Sequence, residues 1–125
     1  MDIPIFDADK VPQPKDKIRI EHLRALPYPD RFRVFIEVNV TPFRDRPNLL
    51  LVLRTMDGKV ITELNIIETM HSEMEFTMHI RGVSDPAGEY ILSADMFYET
   101  RNPPQDRKEV HLLIPPDTSE VEGAE

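Results

Sequence analysis

The chain has 125 residues, no cysteine and a formal net charge of −8 at pH 7. This length suits a single domain with one core, and the missing cysteines exclude disulfides, thiolate metal sites and cysteine nucleophiles. The acidity argues against nucleic acid or an anionic membrane surface as the main partner. Because the first residues lack the basic and apolar pattern of a signal peptide, and no apolar stretch is long enough to span a membrane, we expect a cytoplasmic protein.

The acidic residues and prolines divide the chain into three parts. Residues 1–16 contain three prolines among Asp and Lys, which predicts an extended or disordered arm with an apolar cluster at Ile3, Ile5 and Phe6. Residues 117–125 form an acidic tail without a basic residue, which we expect to be flexible. The folded domain is therefore predicted to cover residues 17–116.

Seven segments of this domain have the composition and the period of β-strands. The clearest is the second, in which apolar residues alternate with polar ones from Phe32 to Val40, a pattern typical of a strand with one buried face. The third is a continuous apolar run, which favours a central strand. In chain order the predicted strands are the segment from Lys17 to the turn at Pro27–Asp30, then Phe32–Val40, Leu49–Leu53, Val60–Ile67, Met74–Ile80, Glu89–Glu99 and Lys108–Ile114.

Turn residues separate these segments, and no convincing amphipathic helix is present. Asp57 and Gly58 give the hairpin signal between the third and fourth strands, since both positions of such a turn favour residues that tolerate positive φ. The segment Glu68–Glu73 fits either a loop or one helical turn. The pattern as a whole predicts an all-β fold, a seven-stranded antiparallel β-sandwich.

The turn into the sixth strand, Pro86-Ala87-Gly88-Glu89-Tyr90-Ile91-Leu92, resembles the entry to the sixth strand of many bacterial immunoglobulin-like modules. Over residues 17–115 the chain resembles the immunoglobulin-like or fibronectin-type-III-like superfold. The resemblance implies that Asp85 and Gly88 shape a structural corner, that the Tyr90 ring lies in the core with its hydroxyl bonded back to the loop, and that Leu92 takes the place of the second antibody cysteine. The chain lacks the cysteines and tryptophan of antibody domains, so no particular family is assigned.

Catalytic and metal-binding chemistry have little support in the sequence. The four histidines have no recognisable ligand spacing beyond Glu68-x-x-His71. This segment could bind a metal together with Glu73, or it could be a solvated loop, and we favour the loop. We therefore expect no enzyme activity, no cofactor and no metal site.

An apolar surface is the stronger functional signal. If Tyr90 and Leu92 face the core, the pleat turns the alternate residues of the sixth strand, including Ile91 and Phe97, outward. They would lie on the outer face of a sheet formed by the third, sixth and seventh strands. We call these residues the predicted strip: Leu50, Val52, Ile91, Phe97, His111 and Leu113. Exposed apolar surfaces of this kind usually mark association sites, which favours a protein-interaction module that forms a homodimer or binds a different protein. Coverage of the strip by the N-terminal arm of the same chain is the competing interpretation.

A second functional class is small-ligand or anion binding at one end of the domain. Arg44 and Arg46 would supply the positive charge, beside the turn at Asn102. Exposed arginines that only solvate a surface are the more common case.

Overall fold

In the computed structural model, residues 11–117 are described, and they form seven strands and almost no helix. The strands are β1 (Ile20–Pro27), β2 (Arg33–Val40), β3 (Asn48–Thr55), β4 (Val60–Ile66), β5 (Glu73–His79), β6 (Gly88–Phe97) and β7 (Asp106–Ile114). A short 3₁₀ helix, Lys15–Lys17, precedes β1. No helix within residues 11–117 has the length and apolar character needed to cross a membrane. The prediction of an all-β chain with seven strands is confirmed.

The strands form two antiparallel sheets. The first has the order β1-β2-β5, and the second has the order β4-β3-β6-β7. The third, sixth and seventh strands are therefore neighbours in one sheet, as the strip requires. The edge strands are β1 and β5 in the first sheet and β4 and β7 in the second; within residues 11–117 each of them pairs with one other strand.

Alternation along the strands creates one hydrophobic cluster to which both sheets contribute. Val34, Ile36 and Val38 of β2 are fully buried, while the residues between them remain partly exposed. From the second sheet, Leu51 and Leu92 are buried in the same cluster. Their burial removes apolar surface from water and supplies the main stabilising free energy of such a fold.

The first strand begins later than the sequence pattern predicts. The first strand begins at Ile20 rather than near Lys17, because residues 15–17 form the 3₁₀ turn. Gln13 already contacts the domain, since its N–H donates to the Pro42 carbonyl oxygen at 2.9 Å and its carbonyl oxygen accepts from the Arg44 N–H at 3.0 Å. The arm residues Ile3, Ile5 and Phe6, and the tail after Asp117, lie outside the described residues.

Two connections between strands can be compared with the sequence predictions, the turn at Asp57-Gly58 and the segment Glu68–Glu73. The Asp57-Gly58 turn closes the β3–β4 hairpin, with Gly58 at φ 96° and the Thr55 N–H donating to the Lys59 carbonyl oxygen at 2.9 Å. The segment between β4 and β5 is a loop without a helical turn. Its backbone is anchored where the Glu68 N–H donates to Asn48 Oδ1 at 2.8 Å.

Candidate functional site

The corner before β6 is held by the Tyr90 side chain. Tyr90 is buried, and its hydroxyl donates to the Pro86 carbonyl oxygen at 2.7 Å. A hydrogen bond of this kind, from an early residue of the sixth strand to the loop before it, is typical of a tyrosine corner. Burial raises the pKa of the Tyr90 hydroxyl above its usual value. Leu92 is fully buried two residues later, which fixes the alternation of β6.

Asp85 links this corner to the start of β2 and to the end of β7. Its Oδ1 accepts from the Ala87 N–H and from Arg31 Nη1, each at 3.1 Å. Arg31 also donates to the Pro115 carbonyl oxygen at 3.2 Å. The hydrogen bond from Ala87, together with the Arg31 guanidinium, lowers the pKa of the Asp85 carboxyl. These bonds tie three distant segments together at one end of the domain, which gives Arg31 a structural role.

The predicted strip lies on the outward side of β3, β6 and β7, but its members are not contiguous. Across the sheet, Leu50 pairs with Asp95, Val52 with Ser93 and Ile91 with His111, and polar side chains therefore separate the apolar ones. His111 and Leu113 are exposed, whereas Leu50, Ile91 and Phe97 are half-buried.

Val52 departs from the expected exposure. It is only 3% exposed although it lies on the outward side of β3. Polar residues occupy the middle of that face: Arg54 Nη1 donates to Ser93 Oγ at 3.0 Å, and Arg107 Nε donates to Asp95 Oδ1 at 2.7 Å. Arginine side chains can cover neighbouring apolar surface with their methylene groups. Because Val52 is buried, it is unavailable to a partner.

The remaining exposed apolar residues collect at one end of this face. Leu113 is 65% exposed and lies diagonally across from Ile91, which pairs with both Arg54 and His111. Val60 of β4 is 45% exposed and pairs with Arg54 in the same row. We call Val60, Ile91, His111 and Leu113 the outer-face end. Sequence reasoning missed Val60, because its place in one row with Ile91, on the other side of Arg54, depends on the order β4-β3-β6.

The arginines of the proposed anion site line a cavity of about 470 Å³ at the other end of the domain. Arg44, Arg46 and Lys15 are accompanied there by an equal number of carboxylates, so the lining carries no net positive charge. The acidic members are Asp45, Glu68 and Glu99. Asn102 is not part of the lining. Tyr98 is, and its hydroxyl donates to the Asp45 carbonyl oxygen at 2.8 Å. This charge balance does not favour an anion.

The candidate metal ligands Glu68, His71 and Glu73 belong to the β4–β5 connection and to the first residue of β5. Within residues 11–117 no group of three or more His, Asp or Glu side chains is arranged to hold a metal ion. The Thr69 side chain organises the loop instead, donating to the His71 carbonyl oxygen at 3.1 Å.

A groove that the sequence did not indicate runs between β4 and β5, which we call the β4–β5 seam. One cavity of about 640 Å³ lies beside the loop between these strands, and a second of about 280 Å³ lies farther along them. Ile67 and Met70 border the larger cavity and are 79% and 67% exposed. Leu64 and Phe76, which face the core from the two strands, lie on opposite sides of the seam.

Comparison with known proteins gives a fold relationship. No protein-family model matches the chain, and no curated protein sequence matches it. The chain is similar to part of the solved β-glucuronidase of Bifidobacterium dentium, with a TM-score of 0.52 and 12% identity over 78% of this chain and 17% of that one. It is similar in the same way to a glycosyl hydrolase family 2 member from Bacteroides cellulosilyticus, with a TM-score of 0.52 and 7% identity over 78% of this chain and 15% of that one. At these identities the likeness shows the fold alone, that of a small all-β domain within much longer enzyme chains.

Proposed function

We propose that the chain is an immunoglobulin-like β-sandwich that acts as a non-enzymatic protein-interaction module and self-associates through the outer-face end. The observation that carries this proposal is the exposure of Leu113 diagonally across from Ile91, with Val60 exposed on the same side of the sheet beyond Arg54. Burying such side chains against a second copy gains about 25 cal/mol for each Å² of apolar surface. A two-fold arrangement would use the same residues of both copies.

The comparisons are compatible with an accessory role. The enzymes to which the chain is similar are several times longer, and the match covers only 17% and 15% of their lengths. A domain of that size can serve an assembly without carrying its catalytic residues.

Light scattering of the full chain over a range of concentrations tests the proposal. We expect the apparent mass to rise with concentration towards that of a dimer, and Leu113→Glu to shift this rise to higher concentration by at least about tenfold, because the substitution places a charge in a desolvated contact. Leu26→Glu is the matched control, since Leu26 is also exposed but lies on β1 in the other sheet. A monomer at every concentration, or equal effects of the two substitutions, would refute self-association through this end.

A further inference from the structure

Three of the four outermost strands, β1, β7 and β4, differ in how they are protected against pairing. The β1 and β7 edges lie close together, and the Ile20 N–H donates to Asp106 Oδ2 at 2.8 Å between them. β7 carries four consecutive charged residues from Asp106 to Glu109, and β1 contains Pro27 and an irregular register. Charges, prolines and irregularities of this kind discourage the addition of another strand.

β4 has only the last of these protections, a register shift in its pairing with β3 between Val60 and Thr62. Its sequence, VITELNI, contains no proline and only one charged residue, Glu63. It pairs with β3 on one side, and no strand within residues 11–117 pairs with its other side. In an antiparallel ladder the N–H and C=O groups of every second residue point away from the neighbouring strand. The outer edge of β4 therefore offers a row of backbone donors and acceptors next to the seam.

We propose that the outer edge of β4 binds an extended segment of another protein in which apolar residues alternate with basic residues. Such a segment would continue the second sheet by one strand, a known mode of peptide recognition. The apolar half of this requirement follows from the pleat, since alternate side chains of the added strand would enter the seam beside Leu64 and Ile66, which pack against the core.

The basic half follows from the charges along the seam. Two arginines, Arg46 and Arg81, face four glutamates there, and the glutamates are Glu63, Glu68, Glu73 and Glu75. The carboxylates of Glu63 and Glu75 form no ion pair with another described residue. Glu63 and Asn65 point outward from β4 and are exposed. The outward side chains of an added strand would lie directly beside Glu63, where opposite charges stabilise a cross-strand pair.

The same charges disfavour two other occupants. Glu63 is the middle residue of β4, so full antiparallel pairing with β4 of a second copy would place the two Glu63 side chains opposite each other. The ends of this chain are acidic too, with three Asp against one Lys in residues 1–10 and three Glu without a basic residue in residues 118–125. The seam thus selects a basic segment that comes from elsewhere.

A synthetic peptide tests the proposal with the full chain. The probe is a capped peptide of about nine residues, long enough for one strand, in which valine alternates with lysine. We expect binding to saturate below about 1 mM by isothermal titration calorimetry, and hydrogen exchange to show protection concentrated in β4. Two control peptides keep the length: one has glutamate in place of lysine, and the other has alternate amides N-methylated so that it cannot form the ladder. Neither control should bind.

Two variants test whether the peptide binds at β4 or is attracted to the acidic protein as a whole. Glu63→Lys should weaken binding of the valine–lysine peptide by at least about fivefold, the size expected when an attractive cross-strand pair becomes repulsive. Glu109→Lys changes the net charge equally on the opposite edge of the same sheet and should leave the affinity within about twofold. Absence of binding, equal binding of the N-methylated peptide, equal effects of the two variants, or protection centred on β5 or β7 would each overturn the proposal. None of these results depends on self-association.

Discussion

The Tyr90 hydroxyl makes its hydrogen bond inside the protein, whereas the Tyr28 hydroxyl lies 3.2 Å from Thr77 Oγ1 at the surface. Tyr90→Phe removes only the hydroxyl and leaves the buried Pro86 carbonyl oxygen without its donor. We expect the free energy of unfolding to fall by about 1 to 3 kcal/mol, as measured by urea denaturation. Tyr28→Phe should change it by less than about 0.5 kcal/mol. Equal losses would mean that the corner contributes no more than a surface contact.

Asp85 should make part of the stability depend on pH. Its pKa is lower in the folded chain than its ordinary value, owing first to the Ala87 N–H and then to Arg31. A carboxyl with a depressed folded pKa contributes stability that is fully present above the unfolded pKa and is lost as the pH falls through the folded pKa.

The test of this contribution is the thermal midpoint measured from pH 7 down to the acid range. Asp85→Asn should lower the midpoint at pH 7 and reduce the further loss on acidification. Asp16→Asn is a control, since the Asp16 side chain has no hydrogen bond or ion pair with another described residue. If Asp85→Asn loses as much of its thermal midpoint on acidification as the unchanged protein does, protonation of Asp85 is not coupled to folding.

At the scale of the strand, Asp95 is a buried carboxylate near the middle of the outer face of the second sheet. Arg107 on β7 donates to both of its oxygens, at 2.7 and 3.4 Å, and this bonding raises the Arg107 pKa. Arg107→Ala would leave Asp95 with an unmatched charge in a buried position, and we expect a loss of about 1 to 3 kcal/mol in the free energy of unfolding. Arg101→Ala, at an exposed position between β6 and β7, should cost less than about 0.5 kcal/mol. A small effect at Arg107 would indicate that water replaces the guanidinium.

The strands themselves could be predicted because each carries its own pattern. Val34, Ile36 and Val38 alternate in sequence and are buried in alternation, since one side of β2 faces the core. The Asp57-Gly58 dipeptide likewise specifies its turn locally. The start of β1 is less predictable, because the alternation of Ile18 and Ile20 does not reveal the 3₁₀ turn at residues 15–17, and the strand begins only at Ile20.

The surfaces could not be predicted in the same way because they depend on which strands become neighbours. Val52 is buried where Arg54 meets Ser93 of a strand about 40 residues later, a pairing that local alternation does not reveal. The seam exists because β4 and β5, although consecutive in the chain, belong to different sheets. A sequence pattern gives the two faces of a strand, but the order of strands decides what covers each face.

At the scale of the whole molecule, the two sheets share a single core and should unfold together. Leu51 is fully buried in the cluster to which both sheets contribute, and Leu51→Ala should lower the free energy of unfolding by about 2 to 5 kcal/mol. Leu113→Ala makes the same chemical change at an exposed position and should cost less than about 0.5 kcal/mol in dilute protein, where association does not contribute. Far-ultraviolet circular dichroism and tyrosine fluorescence should report one coincident transition in both variants. Separate transitions would mean that the two sheets unfold independently and do not depend on a common core.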